Sequence, residues 1–300
     1  MNENFYLGAD TINTGYKEAR YFEKAGESSV RCFLCPHNCL IKPGAVGICQ
    51  VRKNIDGILY SLNYGKIASI ALDPIEKKPL KMYRQGSMIL SAGTFGCNLK
   101  CSFCQNWSIS QVEPDTVFVP PEVLVEKAEE STKYGNIGIA YTYNEPSIWF
   151  EYVLETSKLA KENGLDNVLV TNGFIEKEPL KELIPYIDAL NIDVKSFSED
   201  FYKKICKGRL LNVKEIVELA AENCHVEITT LVIPDLNDSL EEIAELSKWI
   251  SSISNKIPLH LTRFFPNYNM RDINPTPRET ILKAKSIASE YLLYVFAGNM

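Results

Sequence analysis

The chain has 300 residues, 45% of them hydrophobic and 23% charged, an ordinary balance for a globular protein with an ample core. Its 32 Lys and Arg against 38 Asp and Glu leave a formal charge of −6, and no basic run exceeds a Lys pair, so a nucleic-acid surface is not expected. No stretch is long and apolar enough to span a bilayer, and the start, Met-Asn-Glu-Asn-Phe, lacks the basic and apolar regions of a signal peptide. Nine cysteines without a secretory signal point to a reducing compartment, the cytoplasm, where ligands or free thiols are expected rather than disulfides.

Residues 1–85 are rich in polar and turn residues. Short strands are expected at 57–62 and 67–72, joined through Asn63-Tyr-Gly65. Four cysteines fall here, so the segment reads as a small β-rich module stapled by a metal. Residues 73–80, Asp-Pro-Ile-Glu-Lys-Lys-Pro-Leu, read either as a solvated linker or as a strap over the mouth of the next domain, with Glu76 and Lys77 or Lys78 near a substrate.

From residue 86 the pattern changes. Strands at 88–92, 137–143, 168–171, 189–195, 226–233, 259–264 and 292–296 alternate with helices. The helices are expected at 120–128, 147–163, 179–187, 213–222, 239–250 and 278–290. Pro121 marks the start of the first, Gly164 the end of the second, and Ser239 with Glu242 forms a capping box on the fifth. Such alternation implies a parallel sheet with right-handed crossovers. The fold class is α/β, with a partial (β/α)6 TIM-like barrel over residues 86–300. Sites in such barrels lie at the carboxyl ends of the strands.

The first barrel strand runs into Thr94-Phe-Gly-Cys97-Asn-Leu-Lys-Cys101-Ser-Phe-Cys104-Gln-Asn-Trp107. Three thiolates are soft ligands suited to iron–sulfur clusters or zinc. Structural zinc and simple electron-transfer clusters normally take four protein ligands, so three leave one metal position open for chemistry. Gly93 and Gly96 are expected to let backbone approach the sulfurs, and Phe103 and Trp107 to exclude water. The competing reading is a structural zinc loop.

The C-x3-C-x-aromatic-C pattern of Cys97, Cys101, Phe103 and Cys104 resembles the signature of the radical S-adenosylmethionine (SAM) superfamily. The resemblance implies a [4Fe-4S] cluster on Cys97, Cys101 and Cys104, with SAM chelating the fourth iron and breaking reductively to methionine and a 5′-deoxyadenosyl radical. Tyr141-Thr-Tyr-Asn-Glu-Pro146 stands where the family has Gly-Gly-Glu, which makes Glu145 the candidate for the SAM amino group; the alternative is an acid at a helix start. Thr171-Asn172-Gly173 is similar to the ribose-side segment of activating enzymes. Asp193 and Lys195 correspond to an Asp-x-Lys near SAM and substrate, with a buried structural ion pair as the alternative. Thr229 and Val232-Ile-Pro234 match the segment over the adenine.

In the amino-terminal module, Cys32-Phe-Leu-Cys35-Pro-His-Asn-Cys39 is followed by Cys49. Four thiolates this close suit zinc or an auxiliary iron–sulfur cluster, and His37 is either a substitute ligand or a neighbour of the site.

These runs resemble the pyruvate formate-lyase activating-enzyme-like group, and within it most the radical SAM member of the AmmeMemoRadiSam system. The expected partners are an electron donor such as flavodoxin or ferredoxin and either a protein substrate or Memo-like and AMMECR-type proteins; the resemblance leaves the reaction open between glycyl-radical installation and another radical modification. The extra cysteines precede the barrel, whereas glycyl-radical activators often carry an eight-iron ferredoxin insert after the first motif. Some members continue past the last strand with a Cys-rich tail, which after Gly298-Asn-Met300 is either absent or not included. The rival class is a non-catalytic electron-transfer or structural metal protein, which needs a fourth ligand from Cys206 or Cys224; both otherwise read as buried thiols.

Overall fold

The computed structural model describes residues 16–300; the first part of the expected amino-terminal module lies outside the described residues. One eight-stranded sheet forms the body. Its strands are β1 (Ser69–Pro74), β2 (Met88–Gly93), β3 (Asn136–Tyr141), β4 (Asp166–Thr171), β5 (Ala189–Asp193), β6 (His225–Val232), β7 (Leu259–Arg263) and β8 (Val295–Gly298). They lie side by side in chain order, with β2 to β8 parallel and β1 antiparallel on β2. The two edges stay apart, so the barrel is partial, as the alternation of patterns indicated. The larger helices are α1 (Pro121–Glu130), α2 (Phe150–Glu162), α3 (Lys177–Leu183), α4 (Leu210–Ala221), α5 (Leu240–Ile253) and α6 (Arg278–Ala288).

Local chemistry explains the helix ends. Pro121 opens α1 at a position where its missing amide costs nothing. Ser239 Oγ accepts the Glu242 amide at 3.1 Å to cap α5. The reciprocal half of the capping box is absent: Glu242 Oε1 instead accepts from Ser196 Oγ at 2.5 Å and Phe197 N at 2.7 Å. The cap acid thereby ties α5 to the loop after β5. The expected helix 147–163 begins with a 3₁₀ turn, Pro146–Trp149, before α2 proper.

The amino-terminal segment forms small antiparallel sheets. Phe22–Lys24, Val30–Cys32 and Leu40–Ile41 make one; Lys17–Glu18, Ile58–Ser61 and Arg52–Ile55 make another. The strand expected at 67–72 does not stay with them. As β1 it bonds along the whole of β2, Ser69 opposite Gly93 and Pro74 opposite Met88, so the main sheet begins well before residue 86.

That register also corrects the strap. Residues 75–87 leave and rejoin the sheet at the amino end of β2, opposite the cysteine loop. Ile75 and Leu80 are fully buried against Ile89, Ala140, Val168 and Ala189. Pro79 O accepts from Asn191 Nδ2 at 2.9 Å. The strap is a floor under the barrel rather than a cover over its mouth, because its apolar residues find their partners there.

Buried Glu227 clasps the floor. Its oxygens accept the Lys81 and Met82 amides at 3.0 and 2.7 Å, and His225 and His260 Nε2 stand at 3.0 and 2.6 Å. Burial opposes its ionisation, but these donors outweigh burial and bring its pKa down to about 2 from 4.5. A depressed carboxylate pKa stabilises the fold above pH 4.5, and that contribution is lost as pH falls through about 2. The shift corresponds to about 3 kcal/mol. Glu227→Gln is therefore expected to flatten the acid limb of stability between those pH values in urea melts; an unchanged limb would remove the clasp from the account.

Candidate active site

Cys97, Cys101 and Cys104 sit on the loop that leaves the carboxyl end of β2. They line a cavity of about 360 Å³ with Phe103, Asn144, Asn172, Asp193, Lys195 and Thr229. The lining comes from the carboxyl ends of β2 to β7, the face on which such barrels build their sites. Lys77 and Pro79 of the floor also reach it.

Each cysteine has its own surroundings. Cys97 Sγ accepts the Leu99 amide at 3.4 Å and Asn172 Nδ2 at 3.6 Å. Burial pushes its thiol well up, and the nearby Glu145 adds to this. Cys101 is raised well above the ordinary thiol value by its contact with Cys206 and by burial. Burial also raises Cys104, against the pull of the Asn106 amide. In the metal-free chain all three therefore hold their protons, and metal binding must displace them.

Of the expected cofactor residues, Phe103 is buried on the lining, with Lys195 Nζ 5.9 Å from its ring centre. Trp107 does not line the cavity; it stacks on Tyr268 at 5.5 Å. Asn172 lines the cavity, but its amide is directed to Cys97 and to Asn98 Oδ1 at 2.9 Å rather than left for a ribose. Asp193 ends β5 and Lys195 follows it; Lys195 Nζ donates to Asp193 Oδ2 at 2.9 Å. Burial opposes the Lys195 charge, yet Asp193 and the thiols of Cys101 and Cys206 raise its pKa well above the ordinary lysine value. The pair is thus an ion pair at the cavity wall, with Asp193 partly exposed to it.

Glu145 stands apart from the lining. It is fully buried and does not line the cavity. Its Oε1 accepts from Thr171 Oγ1 at 2.7 Å and Ser147 N at 3.0 Å, and its Oε2 from Asn172 N at 2.8 Å. The carboxylate braces the loops after β3 and β4, because the 3₁₀ start at Pro146 turns it inward as a cap. The lining at this place comes from Thr142, Tyr143 and Asn144. Tyr143 has φ 75°, the left-handed conformation that glycine would take without strain. Its hydroxyl donates to Asp73 Oδ2 at 2.6 Å, which holds the ring against the floor. Buried Lys78 donates to the same oxygen at 2.8 Å. Burial opposes the Asp73 charge, but Lys78, Tyr143 and Lys77 keep the carboxyl well below the usual range.

The two glycines make room for neighbouring segments. A side chain on Gly93 would meet Thr142 O at 2.7 Å, and one on Gly96 would meet Cys49 O at 2.7 Å. What comes close is Thr142 and Tyr143 at Gly93, and Cys49 and the Val51 side chain at Gly96. Gly96, with φ 85°, lets the two cysteine loops touch.

Asn98, Asn144, Gln105, Thr262 and Asn299 escaped the sequence reading. Asn98 Nδ2 donates to Phe174 O at 2.6 Å, and Asn144 bridges Thr94 N and Gly96 O. Asn98 lies inside the cysteine motif and was findable there. Asn299 and Thr262 reach the cavity only because β7 and β8 close the sheet beside it. The fourth ligand required by the rival class is not on the lining. Cys224 precedes β6 at the amino end of the strands, and Cys206 is fully buried behind Cys101.

Three thiols facing a cavity walled by polar side chains suit a cluster with one open iron. Residues 92–247, just over half the chain, match the model of the Radical SAM superfamily. An uncharacterized protein of Methanocaldococcus jannaschii is 44% identical over 95% of this chain and 85% of its own length. A second protein of that organism, provisionally named a glycyl-radical enzyme activating enzyme, is 30% identical over 66% of this chain and 76% of its own. The pyruvate formate-lyase-activating enzyme of Clostridium pasteurianum is 26% identical over 66% of this chain and 88% of that enzyme. Streptococcus suis SuiB, solved with S-adenosylmethionine, shares the fold at TM-score 0.56 and 16% identity, covering 71% of this chain and 52% of that one. The open three-cysteine loop, the partial barrel and these matches agree: the chain belongs to the radical SAM superfamily, whose members use a [4Fe-4S] cluster and SAM.

Proposed function

We propose that this chain works as an activating-type radical enzyme, taking hydrogen from a glycine of a partner protein presented at the cavity. The supporting observation is the placement of Cys97, Cys101 and Cys104 on the wall of a cavity that also exposes the Asp193–Lys195 pair. When bound and reduced, the cluster and SAM supply the 5′-deoxyadenosyl radical and methionine. Cys97, Cys101 and Cys104 would hold three irons, and Asn172 and the Leu99 amide donate to Cys97. Such donors favour the more negative, reduced site. Phe103 screens the sulfurs from water. Asp193 and Lys195 offer both charges to polar groups of SAM or substrate. A relative named as a glycyl-radical enzyme activating enzyme and one named as a pyruvate formate-lyase-activating enzyme support a protein substrate, and a flavodoxin- or ferredoxin-like donor is proposed on the strength of the sequence resemblance. Memo-like and AMMECR-type partners belong to the same proposal, on the strength of the sequence resemblance.

The test is anaerobic reconstitution with iron and sulfide, addition of dithionite and SAM, and quantification of 5′-deoxyadenosine. A reducible cluster that forms none would overturn the radical reading. Peptides spanning candidate glycines of co-purifying proteins, with an electron paramagnetic resonance (EPR) readout of a glycyl signal, then test the substrate.

One observation favours the electron-transfer reading: Cys206 stands against Cys101. It is walled off from the cavity, so Cys206→Ser is expected to keep the full iron content and to leave the change of the EPR signal on adding SAM intact. Loss of both in a folded variant would make Cys206 a fourth ligand.

A further inference from the structure

We infer that Asn98 and His37 are positioning residues of the radical centre: they hold the Asn172 amide as a donor to Cys97, and through it the docking of the amino-terminal cysteine loop sets the reduction potential of the cluster. The inference rests on the reading of Cys97, Cys101 and Cys104 as cluster ligands.

Asn98 follows Cys97 in the motif, and Asn172 meets it from the loop after β4. Both are buried, Asn98 fully. A carboxamide has an acceptor end and a donor end, and its partners decide which faces which way. Asn98 Nδ2 donates to Phe174 O at 2.6 Å, and Asn172 Oδ1 accepts from Phe174 N at 2.8 Å. Turning either amide over would set acceptor against acceptor or donor against donor in a buried place, which is costly. Main-chain groups cannot exchange ends, so Phe174 fixes both side chains at once. Asn98 Oδ1 then takes one N–H of Asn172 at 2.9 Å, and the other N–H is left for Cys97 Sγ at 3.6 Å.

The amino-terminal loop holds this arrangement from outside. His37 Nε2 lies 2.7 Å from Asn98 O; a carbonyl only accepts, so the ring donates there. The same ring packs edge-on against Phe174 at 5.1 Å, and Leu34 O accepts from Glu176 N at 3.0 Å. Residues 34–37 thus touch both halves of the relay, the peptide after Cys97 and the loop after β4, while the His37 amide donates to Cys35. Losing the imidazole frees Asn98 and Phe174 to shift, and the Asn172 N–H shifts with them. Hydrogen bonds to the sulfurs are a lever on cluster potential, and an N–H aimed at a ligating sulfur favours the more negative, reduced form. The donor therefore raises the midpoint potential, and its loss lowers it.

The experiment is a redox titration of the full chain, reconstituted anaerobically with iron and sulfide, following the EPR signal that SAM alters. Asn98→Ala is expected to leave about tenfold less reduced cluster at the potential where the parent is half reduced, a shift of about 59 mV for one electron. His37→Leu is expected to move the potential the same way by a smaller step, and His37→Gln, which restores an N–H donor, to bring it back toward the parent. The parent's potential in both Asn98→Ala and His37→Leu, at the parent's iron content, overturns the inference; equal potentials in His37→Leu and His37→Gln remove His37 from it. If Asn98→Ala binds no iron, the two His37 variants decide alone. The titration needs no SAM cleavage, so a titrating parent with unmoved variants fails this inference alone, whereas a parent that takes up no cluster fails the radical reading with it.

Discussion

Cys101→Ala is expected to bring 5′-deoxyadenosine formation down to the enzyme-free background. Cys101 is the middle cysteine of the loop and the most enclosed of the three, bonded on both sides through main chain: Lys100 N donates to Cys206 O at 2.8 Å and Ser102 N to Ile205 O at 3.3 Å. Those bonds do not involve the thiol. The loop should therefore keep its path, and the variant should melt like the parent while losing its SAM-responsive cluster. A cluster bound by two protein sulfurs has no fixed orientation, so electron transfer to SAM loses its geometry. Product near the parent level from a variant with confirmed sequence would show that the loop does not carry the chemistry.

Arg52→Met is expected to destabilise the chain by about 3–5 kcal/mol, because it leaves the Glu151 carboxylate buried and unpaired. The two side chains are 1% and 2% exposed and meet at 2.9 Å. Glu151 lies in the first turn of α2 and also accepts the Arg20 amide at 2.7 Å, so the loss should spread to the contact between amino-terminal sheets and barrel. The double variant Arg52→Met, Glu151→Gln removes both charges and should recover most of the difference. Urea unfolding of the single and double variants measures this; a single variant within 1 kcal/mol of the parent would make the pair no more important than a surface bridge.

The barrel was legible because each element is decided by nearby residues. Parallel strands buried on both faces read as apolar runs, and each helix carries its own start and stop, as Pro121 and Ser239 show. The strand expected at 67–72, found at 69–74, was visible as a strand, but its partner was not: pairing with β2 depends on register across the intervening strap. The strap itself was misplaced for the same reason, since an apolar Ile75 or Leu80 announces burial without saying where.

The cysteine loop was likewise readable, because three cysteines within eight residues are brought together by local geometry alone. Glu145 was not. Its identity suggested a ligand for SAM, whereas its orientation is set by Thr171 and Asn172 on the neighbouring strand end. The sequence by itself determined the alternation of strands and helices, the carboxyl-end location of the cysteines and the two thiol sets, all consequences of short-range spacing. Which side chains share the cavity, that the strap is a floor, and that Arg52 pairs with Glu151 emerge only from the packed chain. Those are contacts between residues far apart in the chain, and their energies depend on burial that no local pattern carries.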